Sequence, residues 1–306
     1  MMRFSDPATQ NMHIPKIAIV ILNMNGKEVL GGCLHSVQGL NYPHYDVIVV
    51  DNNSSDGSQA FVSDAFPSVH LIQNKNNEGV PEGLNIGIQA ALQSGADYVF
   101  TVNNDTILDR NALRELSKTL EQDKTIGAAG PVLYSMTDEM TIENAGGKID
   151  WKKGTVVLSN AGETDGLLPE ISDVDYISFF FADPRVLESV GLFDKKYFAY
   201  WEDTDLCFRL KKAGYRVVCV SAAKVWHKHS FTARKMEGFY EYQYTRNQFW
   251  FWKTHATKKH LISFLLSFFF FTFWQRSIVI LLRNKNLKGF RASCKGVVDG
   301  LLHNSS

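Results

Sequence analysis

Tyr98-Val-Phe-Thr-Val-Asn103-Asn104-Asp105 is an apolar run that ends abruptly in two amides and a carboxylate. Its first five residues, rich in β-branched and aromatic side chains, read as a buried strand. Buried parallel strands present their function at the carboxyl end, so Asp105 is expected at the mouth of a sheet. A lone carboxylate flanked by amide oxygens suits a hard divalent cation shared with a ligand's phosphates, because such ions keep only one or two protein carboxylates. The competing reading is a plain turn, since Asn-Asn-Asp-Thr is good turn chemistry and Asp109 and Asn111 can cap a following helix.

Outward from this stretch the pattern repeats. Residues 17–22 and 45–50 are apolar runs and 69–72 a shorter one, and helical stretches at 27–40 and 83–95 alternate with them. Such alternation predicts an α/β fold: a mostly parallel sheet with right-handed crossovers and helices on both faces. Every loop at the strands' carboxyl ends is loaded with Asn, Asp, Ser and Gly: Asn23 to Gly26, Asp51 to Gly57 including Asn53, and Asn74 to Gly79. These loops meet on one edge of the sheet, where ligands bind in such folds. Asp51 is placed to accept hydrogen bonds from a ribose or a base N–H, and Asn77, Gly79 and Asn85 to let backbone amides approach a ligand. No G-x-G-x-x-G occurs, which argues against a nicotinamide or flavin enzyme.

Composition sets the outer bounds. The chain has 306 residues, 45% hydrophobic, with a formal net charge of zero. Residues 1–232 carry 20 Lys+Arg against 29 Asp+Glu, while residues 233–306 carry 12 against 3. Nothing in the acidic body suggests nucleic acid, whereas a basic and very apolar tail points to an anionic membrane surface. The cysteines Cys33, Cys207, Cys219 and Cys294 have no C-x-x-C spacing, so neither a zinc site nor a disulfide framework is implied. The first 16 residues lack an apolar signal core, which places the expected location on the cytoplasmic side.

In the second half, residues 143–151 read as a hairpin around Gly146 and Gly147, and 175–181 as another strand. A helix is expected to start near Trp201 and to stop at Gly214, with Arg209, Lys211 and Lys212 suiting its last turns. Asp205 and Arg209 lie at i and i+4 and form an ion pair. Glu202 and Asp203 sit in the first turn, where the helix dipole stabilises carboxylates, so Asp203 is expected ionised and able to take a proton from a bound hydroxyl. Simple N-terminal capping is the alternative. After a last strand at 217–220 come His227 and His229, at most one of which is expected to complete a cation site with Asp105.

In order, Val50-Asp51-Asn-Asn-Ser-Ser-Asp56-Gly57, Asn77-Glu-Gly79 with Asn85, Asn103-Asn104-Asp105, Gly191-x-Phe-Asp194, Glu202-Asp203-x-Asp205 with Arg209, and Val225-x-His227 resemble the family 2 glycosyltransferases, above all the rhamnosyltransferase-type enzymes of O-antigen and other surface polysaccharides. A weaker match continues in Tyr244-x-Arg246-Asn247. The resemblance implies a GT-A fold and an inverting transfer of a sugar, with rhamnose one candidate, from a nucleotide-diphosphate donor to a saccharide hydroxyl, in a lipid-linked acceptor or a free one. It implies donor contacts from Asn23, Asp51, Asn53, Asn77, Gly79, Asn85 and Asn104, and Mg2+ or Mn2+ at Asp105 and His227. It also implies a general base at Asp203 and an acceptor side at Trp201 and Glu202. Two departures stand out: the metal motif has a single carboxylate, and Ser178 to Arg185 replaces a glycine-containing segment, which crowds the cleft. A nucleotidyltransferase is the enzymatic alternative, although a glycine-rich basic phosphate loop near the N-terminus is missing; a non-catalytic sugar-nucleotide-binding subunit is the other.

Three regions are expected: a polar tail at 1–14, a catalytic domain at 15–232, and an aromatic and basic helical region at 233–306. Residues 261–282 include 16 apolar ones and are long enough to reach across a bilayer. Gln275 and Arg276 interrupt them, and Ser263, Ser267 and Gln275 form a faint polar stripe. A helix lying in the interface of the inner membrane's cytoplasmic face is therefore expected rather than a span, with Arg283, Lys285, Lys288, Arg291 and Lys295 on anionic lipids. A hairpin packed on the catalytic domain or on a partner subunit, within an oligomer, is the competing arrangement.

Overall fold

The structure is a computed structural model that describes residues 13–164, 166, 168–228 and 236–302. The polar tail and His229 fall largely or wholly outside the described residues; residues two apart on a strand share a face, so strand period alone does not exclude His229.

β1 (Ile17–Asn23) sets the layers. Ile17, Ile19 and Ile21 pack with residues of α1 (Lys27–Gln38) and α4 (Ala112–Gln122), while Ala18 and Val20 pack on the opposite face with α3 (Gly79–Gln93). A strand covered on both faces has no polar side, which is why the sequence reads as an unbroken apolar run. β1 lies between β2 (Tyr45–Asp51) and β4 (Tyr98–Asn103), parallel to both, and β3 (His70–Gln73) extends the sheet beyond β2. α2 (Ser58–Ala65) joins β2 to β3. On the other side the order continues from β4 through β11 (Phe181–Ala182), β6 (Ile126–Ser135), β12 (Arg216–His227) and β10 (Ile171–Asp173). β11 runs antiparallel to β4 and β6, β10 antiparallel to β12, and β12 parallel to β6. The fold is thus a mixed α/β sheet flanked by helices, as expected.

Three local expectations need correction. Residues 143–151 do not fold back on one another. β7 (Ile142–Asn144) joins β6, and β8 (Gly147–Asp150) pairs with β9 (Thr155–Leu158), so the turn falls at 151–154. Residues 175–181 form no continuous strand: Asp175 and Tyr176 bond to Gly147 at the edge of β8, and only Phe181–Ala182 enters the sheet. The last strand is longer than 217–220, and His227 ends it rather than following it.

After α5 (Pro184–Ser189) and α6 (Glu202–Lys212), the carboxyl-terminal region packs on the body. Phe249, Phe251 and Trp252 of α7 (Phe239–His255) are fully buried with Tyr197 and Trp201. Asn247, also fully buried, donates through Nδ2 to the carbonyls of Tyr197 (2.8 Å), Ala199 (2.7 Å) and Tyr200 (2.9 Å). It pins a loop in which Phe198, Tyr200 and Trp201 all have positive φ, at 61°, 67° and 74°. That backbone is costly for bulky residues and persists only where its surroundings impose it.

α8 (Lys258–Arg283, 26 residues) is long and apolar enough to cross a membrane. α9 (Leu287–Leu302) returns along α7, with the Tyr242 hydroxyl donating to Asp299 at 2.7 Å. On α8 the polar side chains Ser263 and Arg276 turn inward, to Lys152 O at 2.9 Å and Gln248 Oε1 at 2.9 Å. Outward stand Ile262, Leu266, Phe270, Phe271, Trp274, Ile278 and Leu282, each between 54% and 73% exposed. Ser263 and Arg276 therefore meet the protein, while Gln275 stays exposed beside an otherwise largely apolar outer face.

Asn247→Ala takes the side-chain donor from the Ala199 and Tyr200 carbonyls, while Tyr197 O keeps Ala199 N and Arg246, and should cost about 2–4 kcal/mol in urea unfolding. A loss below about 1 kcal/mol would mean that the 197–201 loop is held by something else.

Candidate active site

The site forms where three parallel strands end. Register pairs Asn23 with Asp51 and Leu22 with Asn103, so the three polar loops emerge side by side. A cavity of about 380 Å³ opens there, lined among others by Asn52, Asn77, Gly79, Asn103, Asn104, Asp105, Glu202, Asp203 and His227. Its size and mixed polar and apolar wall suit a small organic ligand.

β5 (Thr106–Leu108) brings Asp105 and His227 together. This short strand pairs antiparallel with the end of β12, matching Thr106 with His227, and Lys228 N donates to Asp105 O at 3.0 Å. Asp105 is 6% exposed, and its Oδ1 lies 3.1 Å from His227 Nε2. Glu143 Oε2 stands 3.9 Å from His227 Nδ1 on the far side of the ring. Glu143 was not singled out in the sequence; its position beside the imidazole suits a carboxylate that orients a ligating histidine. One carboxylate oxygen and one imidazole nitrogen converging on a cavity fit Mg2+ or Mn2+. Among the described residues no group of three or more His, Cys, Asp or Glu would hold such an ion alone, so a bound ligand would have to complete the coordination. Phe179, of the 178–185 segment, lines this wall and meets the His227 ring edge-on at 5.8 Å.

The expected donor residues divide. Asn104 lines the cavity and donates to Asn23 Oδ1 at 2.6 Å; a Cβ on Gly26 would lie 1.9 Å from the Asn104 amide, so only glycine admits the contact. Asn23 in turn donates to Asp51 Oδ2 at 2.7 Å, and Asp51 Oδ1 accepts from Ser54 N (2.8 Å) and Gln59 Nε2 (2.7 Å). Asn23 and Asp51 are fully buried behind the wall and do not line it, so Asp51 ties loops together. Asn53 is exposed and off the cavity, whereas its neighbour Asn52 is on the wall and donates to Gly79 O at 2.9 Å. Asn77 caps Gly79 N at 3.0 Å. Gly79 has φ +80°, and a Cβ there would lie 2.6 Å from Phe198 O. Asn85 is not on the wall: it exchanges two hydrogen bonds with the backbone of Phe193, at 2.8 and 3.0 Å.

The opposite wall is the start of α6. Trp201, expected on the acceptor side, is 3% exposed and packs against Phe251 and Tyr244 at 5.2 and 5.5 Å; Tyr200 lines the cavity in its place. Burial pushes Asp203 up from 3.8 to about 6, against the opposing pull of the Thr204 N–H (2.6 Å) and hydroxyl (3.2 Å). The expected dipole stabilisation is thus outweighed by desolvation, and Asp203 is still mostly ionised at neutral pH. Burial and the charge of Asp203 raise Glu202 well above the carboxylate range, so it keeps its proton; its Oε2 is buried without a hydrogen-bond partner. Asp205 pairs with Arg209 at 2.7 Å as expected, but its carboxylate is buried and also meets His255 of α7 at 2.7 Å.

Two family models match this chain: Glycosyl transferase family 2 over residues 18–165 and Glycosyl transferase family group 2 over residues 98–293, the latter more than half of it. The chain belongs to the family 2 glycosyltransferases. It is 26% identical to a dTDP-rhamnosyl transferase of Shigella flexneri, over 59% of each chain. It is 27% identical to an N-acetylglucosaminyl-diphospho-decaprenol L-rhamnosyltransferase of Mycobacterium tuberculosis, over 59% of this chain and 66% of that one. It is also 23% identical to a low-salt glycan biosynthesis hexosyltransferase of Haloferax volcanii, over 78% and 76%. Among solved structures, GalNAc-T7 with UDP, GalNAc and Mn2+ superposes with a TM-score of 0.66 at 16% identity, over 81% of this chain and 49% of that one. A mannosyltransferase of Pyrobaculum calidifontis in complex with GDP-Man and Mn2+ gives 0.58 at 14%, over 99% and 80%. These are GT-A-like neighbours, and the fold is of that type.

An acid whose value is higher folded than unfolded binds its proton more tightly when folded. The penalty for ionising Asp203 is therefore absent below 3.8 and complete above about 6. Asp203→Asn should raise Tm at pH 8 and leave it nearly unchanged at pH 4. The same shift at both pH values would show that the carboxylate is not strained by burial.

Proposed function

We propose that this chain transfers a sugar, with inversion, from a nucleotide-diphosphate sugar to a hydroxyl of a saccharide acceptor. The observation that carries the reading is a single cavity lined on one wall by Asp105 against His227 and on the other by Asp203. Asn52, Asn77, Gly79 and Asn104 supply polar contacts for the donor. Asp105 and His227 hold Mg2+ or Mn2+, which when bound offsets the charge of the departing diphosphate. Asp203 takes the acceptor's proton as the new bond forms at the anomeric carbon and the bond to the diphosphate breaks. Glu202, which keeps its own proton, is able to donate a hydrogen bond into the cavity. No covalent intermediate is required.

Relatives named for rhamnosyl transfer make a dTDP-activated rhamnose the first donor to test, and a relative named for a decaprenol-linked substrate supports a lipid-linked acceptor. The apolar outer face of α8 supports attachment of the protein to the cytoplasmic face of a membrane, where such an acceptor is met. The basic residues around α9 add attraction to anionic lipid.

Thermal shift of the purified protein with dTDP-, UDP- and GDP-sugars should show a gain with one nucleotide class. That gain should require Mg2+ or Mn2+ and vanish with chelator and in Asp105→Ala. No gain with any of them would count against the reading. Asp203→Asn should keep the donor-induced shift while transfer falls by roughly 10²–10⁴. For the parent, kcat/KM should rise with pH through about 6 as Asp203 ionises. Unchanged transfer by the variant would remove Asp203 from the mechanism and revive a different base.

A further inference from the structure

A second cavity, of about 340 Å³, lies between α7, α8 and α9. Its wall includes Tyr240, Tyr244, Gln275, Arg276, Val279 and Ile280. We propose that it binds the phosphate end of an isoprenoid-phosphate carrier whose attached saccharide is the acceptor, an assignment that rests on the glycosyltransferase reading above.

Three observations converge on this ligand. The first is charge. Arg276 donates to Gln248 Oε1 at 2.9 Å and lies 5.0 Å from the centroid of the Tyr244 ring, so its guanidinium is held in place; among the described residues it has no carboxylate within ion-pair distance. A fixed, unneutralised guanidinium at the wall of a cavity recognises phosphate oxygens well. The second is the apolar face beside it. Val279 is 44% exposed, and Ile278 and Leu282 of the same turns are 56% and 73% exposed, so an isoprenoid chain leaving the cavity would meet these apolar side chains along α8. Glu241 shares the cavity wall, which disfavours a bare anion and makes the hydrocarbon part necessary for binding.

The third is continuity with the reaction centre. Tyr240 meets Tyr200 edge-on at 5.1 Å, and Tyr200 lines the first cavity with Glu202 and Asp203. Tyr244, also on the second wall, is 6.4 Å from Tyr200. Aromatic rings with polar tips connect the two cavities, a surface on which a saccharide can rest by its apolar face while its hydroxyls find partners. The carrier's phosphate would thus anchor one end of the acceptor while its sugar reaches Asp203.

Titrating the full chain in detergent with farnesyl diphosphate, farnesol and inorganic pyrophosphate tests the assignment. Chelator is kept present so that the cation-dependent donor cavity does not compete. Farnesyl diphosphate should bind at least tenfold more tightly than either fragment. Arg276→Ala should weaken it at least tenfold and Arg276→Lys less. Gln275→Glu, a change at an exposed position that leaves the Gln248 contact in place, should weaken it severalfold by repulsion. Equal binding of pyrophosphate, equal binding of farnesol, or indifference to both Arg276→Ala and Gln275→Glu would overturn the proposal. Donor-induced thermal shift, run on the same proteins, separates the two ideas. If it persists while farnesyl diphosphate fails to bind, only the second cavity is misassigned; if it is absent from the parent while farnesyl diphosphate binds as expected, the glycosyltransferase reading fails.

Discussion

The pairing of Thr106–Leu108 with Val225–His227 is the contact on which the proposed chemistry depends. It joins residues more than a hundred positions apart, and it sets Asp105 beside His227 through backbone hydrogen bonds rather than through flexible side chains. Side chains supplied from paired strands are held in place before anything binds, which is what the proposed cation between protein and diphosphate would require. The rest of the sheet keeps this pairing from slipping, because β12 is also paired with β6 and β10 and each core strand is covered on both faces.

The opposite wall is fixed by different means. α6 begins in a strained loop, and its position depends on α7: Asn247 binds three backbone carbonyls of that loop, and His255 reaches Asp205. Burial pushes Asp205 upward, but His255 and Arg209 outweigh it and hold the carboxyl below its usual range. Three acids in one helical turn thus have three environments. Asp205 is paired and ionised, Glu202 is buried and keeps its proton, and Asp203 stays at the cavity wall with a value suited to taking a proton near neutral pH. The desolvation cost of this arrangement falls on Asp203 and Glu202, and the aromatic packing of α7 helps to carry it.

Much of this was legible in the sequence because strand ends and helix starts have strong local signatures. The run 98–105, the first turn of α6 and the histidine after the last apolar strand all pointed to the residues that meet in the cavity. The failures have physical causes. A three-residue strand such as β5 is too short to show a period. At the ends of β1 and β2 an amide or carboxylate serves equally for binding a ligand or for tying two loops, and the hydrogen bonds of Asn23, Asp51 and Asn85 are tertiary facts. Asn52 and Asn53 are indistinguishable by type, and only the turn decides which one reaches the wall. The resemblance implied an acceptor-side Trp201, but this residue, at positive φ, packs into the core. The polar stripe of α8 was visible, yet its direction depended on Gln248 and Lys152 accepting from Arg276 and Ser263.

The most direct test of the central claim is anomalous diffraction from crystals soaked with Mn2+ and the nucleoside diphosphate that gives the thermal shift. A single strong peak between the Asp105 carboxylate and the His227 imidazole, with the diphosphate on the same ion and Asp203 facing it across the cavity, is the result predicted. Diphosphate bound away from this pair, or a manganese peak that excludes both residues, would contradict the account.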